Sequence, residues 1–92
     1  MAEFKSVLND NRRIDMFLDD QKVGYLDFHE NMETFFLDYV FVDPEFRGRE
    51  VGVEIVKAGL RLAQEKNLNP RPVCGYAAVI MRRNNWPENF SK

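Results

Sequence analysis

Residues 47–52, Arg-Gly-Arg-Glu-Val-Gly, place two glycines and two arginines directly ahead of a stretch with helical periodicity. Further on, the lone cysteine, Cys74, stands just ahead of a second such stretch that carries Tyr76. The first amides of a helix have no intrahelical partner and, with the helix dipole, make a positive end that attracts phosphate. A glycine-rich turn lets the backbone approach such an anion closely. Gly48 and Gly52 are placed for that, and Arg47 and Arg49 add charge. The same six residues also read as a plain strand-to-helix turn with solvated charges. Cys74 closes a short strand before a helix, a setting that favours the thiolate and so a nucleophile; a free cysteine also serves as a small buried hydrophobe. Asp38 and Glu33 border strands, either as general bases or as solvated charges. His29, the one histidine, falls in an expected turn and carries little weight as a base. No cluster has metal-ligand spacing.

These groups need elements to hold them. Ile14, Met16 and Leu18 alternate with Asp15 and Phe17, the period of a strand. Residues 19–22 read as a turn, 23–28 as a second strand interrupted by Gly24, and 29–34 as another turn. Residues 35–42 are nearly all apolar, as in a central strand buried on both faces. The period then changes: Gly52, Ile55, Val56, Gly59, Leu60 and Ala63 form one helical stripe. Asn67 and Pro70 end that helix. Residues 71–74 read as a short strand parallel to the third through a helical crossover. Residues 76–83 read as a second helix closed by Asn84 and Asn85, and Trp86 and Phe90 are expected to dock on the domain. The order is β-β-β-α-β-α: an α+β fold, an antiparallel meander with one parallel strand added.

Composition narrows the function. A chain of 92 residues forms one domain, spanning 1–92. A net charge of −2 argues against a nucleic-acid partner, which calls for a basic face. A single cysteine rules out an internal disulfide framework. No apolar run approaches the length of a membrane span, and the first ten residues lack a signal-peptide core. The expected setting is soluble and cytoplasmic, without a membrane partner.

The turn fits neither a Walker loop, which ends in Gly-Lys-Ser/Thr, nor a dinucleotide fingerprint, which needs a larger parallel sheet. A strand ending in Val-Phe-Val-Asp-Pro-Glu-Phe-Arg-Gly-Arg-Glu-Val-Gly and followed by an amphipathic helix resembles the acetyl-CoA-binding motif of the GNAT acyltransferase superfamily, Gln/Arg-x-x-Gly-x-Gly/Ala. Arg47 fills its first position and Gly52 its last. The downstream Cys-Gly-Tyr-Ala-Ala-Val-Ile-Met-Arg-Arg is similar to the ending of a minimal GNAT subfamily of about this length. The resemblance covers roughly residues 35–83. The motif's middle glycine falls on Glu50, whose carboxylate would crowd and repel a diphosphate or occupy the helix end itself. The family histidine near the end of the third strand appears as Tyr39.

The resemblance implies transfer of an acetyl group from acetyl-CoA, as co-substrate and without a metal, to an amine of a protein or a small molecule. The third and added strands would splay, exposing the backbone of Phe41 and Val42 to the pantetheine arm. Arg47, Gly48, Arg49, Glu50, Val51 and Gly52 would hold the diphosphate. Cys74 would lie by the coenzyme sulfur, open to a covalent acetyl-cysteine route, and Tyr76 would give a proton to the departing thiolate or merely pack. The expected assembly is a monomer or weak homodimer. The alternative is a non-catalytic coenzyme-binding or protein-interaction module whose phosphate cradle Glu50 has weakened.

Overall fold

The computed structural model describes residues 3–48 and 50–90. Strands β1 (Phe4–Asn9), β2 (Arg13–Leu18), β3 (Gln21–Glu30) and β4 (Thr34–Val42) are followed by a 3-10 turn (Pro44–Phe46), helix α1 (Val51–Glu65), strand β5 (Asn69–Pro72) and helix α2 (Gly75–Arg83). The sheet runs in the order β1-β2-β3-β4-β5. Its first four strands form an antiparallel meander, and β5 joins β4 in parallel after the α1 crossover. The α+β class and the parallel addition are as the sequence implies.

The meander has one strand more than the sequence pattern indicates. Residues of β1 are exposed along nearly their whole length, so they carry no alternation to read. The strand is defined by its pairing with β2 through a turn in which Asp10 and Asn11 both adopt left-handed backbone, at φ 54° and 53°. The last strand begins earlier than expected and takes in both Pro70 and Pro72. Prolines are tolerated there because β5 is an edge with only β4 beside it.

Cross-strand rows separate the two faces. Ile14, Leu26 and Val40 form a row in the core, whereas Asp15, Tyr25 and Phe41 form a row on the opposite face. Strand β4 alternates buried and partly exposed residues and is therefore covered on one face only, not on both. Its near-continuous apolar sequence reflects aromatics that pack sideways: Tyr25 stacks on Phe41 at 5.2 Å, and His29 on Phe36 at 4.4 Å. Arg13 lies over Tyr25 and grips Asp27 through two bonds, 2.7 and 3.1 Å, which hold its pKa above the ordinary value.

The core face takes both helices. Helix α1 buries Ile55, Val56, Leu60 and Ala63 against β2, β3 and β4, and α2 adds Ala77, Ile80 and Met81. Both helices end in the same way. Asn67 and Asn85 adopt left-handed backbone; the amides of Asn67 and Leu68 return to Gln64 and Ala63, and those of Asn85 and Trp86 to Arg82 and Met81. Each is a Schellman ending, which satisfies carbonyls that the helix would leave bare. Trp86 and Phe90 meet edge-on at 5.3 Å against the core.

Candidate functional site

Strands β4 and β5 are paired only from Thr34 to Leu37. At that point the carbonyl of Leu37 accepts the amides of both Val73 and Cys74, at 2.8 and 3.1 Å, and the chain turns away into α2. From Asp38 to Val42 the edge of β4 has no strand beside it among the described residues. A cleft of about 380 Å³ opens there, lined by Tyr39, Val40, Phe41, Val42, Arg47 and Tyr76. Four consecutive strand residues line one cleft only when the wall is the strand's edge, because successive side chains point to opposite faces. The strands part where a splay is expected; at that edge the Val42 carbonyl accepts from Arg47 Nε, whereas the Phe41 carbonyl faces Gly24 of β3.

The cleft leads to the start of α1. No hydrogen bond is made to the amides of Val51, Gly52 and Val53 among the described residues; the first helical bond runs from the amide of Glu54 to the carbonyl of Glu50. Gly48 takes φ +82°, which favours glycine, and a Cβ there would meet no neighbour. Arg47 donates from Nε to the carbonyl of Val42 at 3.3 Å, fastening the turn to the end of β4. Arg49 lies outside the described residues. Glu50 takes the left-handed conformation, φ 61° and ψ 17°, that the middle glycine of the motif would adopt freely. Its side chain is exposed and makes no capping bond to the helix, so the carboxylate does not fill the anion position from within.

Cys74 is the residue before α2, half-buried and packed against the core. Tyr76, in the first turn of α2, is 49% exposed and reaches across to α1. Its ring lies against Gly52, where a Cβ would fall 2.8 Å from two ring carbons and closer still to the hydroxyl. Cys74 is held by its amide at the splay point and is not among the described residues lining the cleft, whereas Tyr76 lines the cleft and reaches the α1 turn.

The candidate bases fall elsewhere. His29 belongs to β3 rather than to a turn, and its Nδ1 shares a 2.7 Å hydrogen bond with Asp38 Oδ2 on the uncovered face. Glu33 lies in the turn between β3 and β4, where its carbonyl accepts the amide of Asn69. The His29–Asp38 pair escapes sequence reasoning because it depends on an irregularity in register opposite Asp27 and Phe28. A larger hollow, about 470 Å³, lies on the far side of the sheet beside Arg12, Arg13 and Asp27. Arg13 and Asp27 pair with each other there, and none of the described residues that line it is a cysteine, serine or histidine. Among the described residues no group of three or more His, Cys, Asp or Glu is arranged to hold a metal, and no helix is long and apolar enough to cross a membrane.

The sequence profile of the GCN5-related N-acetyl-transferases matches residues 13–89. A search of the curated proteins finds no match. Among solved structures, this chain is similar to AAC(6')-Iy in complex with a bisubstrate analogue, CoA-S-monomethyl-acetylneamine, with a TM-score of 0.60 and 19% identity over 87% of this chain. It is also similar to a ribosomal-protein-alanine N-acetyltransferase from Brucella melitensis biovar Abortus 2308, with a TM-score of 0.63 and 17% identity over 92% of this chain and 72% of the other. A third likeness is to an aminoglycoside acetyltransferase from an uncultured soil metagenomic sample in complex with sisomicin, with a TM-score of 0.63 and 18% identity over 92% of this chain and 64% of the other. The chain spans 61% of the AAC(6')-Iy chain, less than two thirds. At these identities the likeness is one of fold.

Proposed function

The chain belongs to the GCN5-related N-acetyl-transferase family, and from that premise we propose that it binds acetyl-CoA in the β4 cleft and transfers the acetyl group to an amine. The observation that carries this is the splay at Leu37: a strand edge without a neighbouring strand among the described residues runs from the level of the Cys74 amide to amides at the front of α1 that have no partner among those residues. The five steps from Leu37 to Val42 along an extended strand span about 17 Å, a length suited to an extended pantetheine arm between a thioester and a diphosphate.

In this reading the amides of Val51, Gly52 and Val53 receive the diphosphate, with Arg47 beside it and Gly48 leaving room. Glu50 keeps its side chain in solvent. The β5-side edge of β4 beyond Leu37 takes the pantetheine, and the thioester lies by Cys74. The amine nitrogen attacks the carbonyl carbon and the C–S bond breaks; the proton shed by the new amide nitrogen passes through solvent to the departing coenzyme thiolate, while Tyr76, whose hydroxyl rests at Gly52, walls the diphosphate end of the cleft. The amides of Gly75, Tyr76 and Ala77, which have no partner among the described residues, are available donors for the oxyanion. With Asp38 already bonded to His29, the amine enters neutral. AAC(6')-Iy is in complex with a CoA-acetylneamine bisubstrate analogue and the Brucella protein is a ribosomal-protein-alanine N-acetyltransferase; the open mouth here suits a small-molecule or a protein amine.

Calorimetry with acetyl-CoA is the direct test. Heat of binding and a thermal shift are expected, followed by thiol release when spermidine or a lysine peptide is added. Neither heat nor shift at millimolar acetyl-CoA removes the proposal. Binding without thiol release for any amine favours the non-catalytic coenzyme-binding module.

A further inference from the structure

Gly52 is buried in the first turn of α1, and no positive φ requires glycine there. Glycine in a helix costs about 0.5–1 kcal/mol relative to alanine, so something else must account for it. The space a Cβ would enter is filled by protein: the Tyr76 hydroxyl, Cε2 and Cζ all press into it. At Gly48 and Gly75, by contrast, a Cβ would meet nothing. The last glycine of the turn thus differs from its neighbours in what it admits.

We propose that Gly52 is a positioning residue for Tyr76, its bare Cα forming the seat on which the phenol rests at the mouth of α1. Tyr76 lines the cleft together with Arg47 and Phe41. The seat therefore ties the wall of the coenzyme cleft, contributed by α2, to the turn at the front of α1. An added methyl acts on the ligand only by displacing the ring, since the backbone amide of residue 52 is unchanged. The functional side of this inference rests on the reading that the cleft takes coenzyme A.

The test is a double-mutant cycle with Gly52→Ala, Tyr76→Ala and the pair, read by calorimetry with coenzyme A and by thermal unfolding. Residues in contact couple by about 0.5–3 kcal/mol. Gly52→Ala is expected to weaken coenzyme A binding about tenfold with Tyr76 present and less than about twofold in the Tyr76→Ala background. The unfolding midpoint should fall with Gly52→Ala in the native background and rise with it once the ring is gone, because alanine is the better helix former. The same loss of affinity in both backgrounds would show the methyl touching the ligand itself and overturn the proposal. So would additive effects on the midpoint. Native protein that binds no coenzyme A while the midpoints still reverse sign sinks the acetyl-transfer reading and, with it, the functional half of this inference, leaving the seat demonstrated as a contact.

Discussion

The amide of Glu54 donates to the carbonyl of Glu50 at 3.1 Å, and so α1 takes its first turn from a residue held at φ 61°. A side chain in that conformation costs roughly 1–2 kcal/mol, and here it also sets a carboxylate beside the amides proposed to take a diphosphate. Glu50→Gly is therefore expected to raise stability by about 0.5–1 kcal/mol, after the added flexibility of the unfolded chain is counted. That corresponds to a rise of roughly 2–8 °C in the unfolding midpoint of a domain this size. It should also tighten coenzyme binding. Glu50→Ala separates the two effects: it removes the charge and keeps the strain, so affinity rises and stability does not. Unchanged affinity in both variants would show that the carboxylate lies too far from the ligand to matter.

Arg47 joins the turn to β4 through the Val42 carbonyl and has an exposed side chain at the cleft. Hydrogen bonds to a charged group contribute about 1.5–3 kcal/mol. Arg47→Ala should weaken coenzyme A binding by roughly ten- to a hundredfold, with a shallower salt dependence and little loss of stability. Arg47→Lys should recover part of the affinity only, because lysine's single ammonium nitrogen cannot hold Val42 while a second nitrogen meets phosphate, as the guanidinium fork can. Calorimetry at two salt concentrations checks both; affinity independent of residue 47 would place the diphosphate elsewhere.

What the sequence makes legible here is periodicity and local turn chemistry. The α1 stripe from Gly52 to Ala63, the alternation of Ile14 and Met16, and the asparagines that end each helix act over a few residues, and each is found where the pattern puts it. Strand β1 is invisible to that kind of reading because Val7 and Leu8 are both exposed; only the Asp10–Asn11 turn marks it. The covered and uncovered faces of β4 cannot be told apart when Phe36 and Phe41 are as apolar as Phe35 and Leu37. At the site, the turn and Cys74 stand out as residue types. The seat of Tyr76 on Gly52 and the pairing of His29 with Asp38 arise from packing between distant segments, for which no local pattern exists.

Gly24 illustrates the cost of such long-range packing. A Cβ there would strike the Phe41 carbonyl and lie 2.8 Å from Ile55 Cδ1. Backbone of a neighbouring paired strand cannot yield as a side chain can. Overpacking typically costs about 1–3 kcal/mol, and a small domain has little margin. Gly24→Ala is expected to lower the unfolding midpoint by roughly 5 °C or more. A midpoint within a degree of the native protein would mean that β3 and β4 are less closely apposed than described.

Phe35 and Phe36 are adjacent in sequence and opposite in environment. Phe35 is fully buried and stacks on Phe28 at 4.7 Å, whereas Phe36 lies under His29 on the uncovered face. Truncating a buried phenylalanine costs about 3–5 kcal/mol; losing an exposed aromatic pair costs about 0.5–1.5 kcal/mol. Phe35→Ala should leave the domain largely unfolded in urea concentrations that Phe36→Ala tolerates. Equal losses would contradict the assignment of the two faces.

Cys74 meets the thioester in the proposed reading without a base to activate it, since the single histidine is bonded to Asp38 on the other face of the sheet. The thiol also packs against the core, the setting of a small buried hydrophobe. Direct attack by the amine is therefore expected. Cys74→Ala should retain turnover to within about tenfold, well short of the roughly hundredfold or more that losing a general acid or nucleophile costs, and Tyr76→Phe should do the same because its hydroxyl rests at Gly52 rather than by the thioester. Mass spectrometry of the native protein after incubation with acetyl-CoA alone should show no added acetyl group. An acetylated Cys74 peptide, together with an inactive Cys74→Ala protein, would instead establish the covalent route: the sulfur of Cys74 would take the acetyl group from the coenzyme, release coenzyme A thiol, and pass the acyl carbon to the amine in a second step.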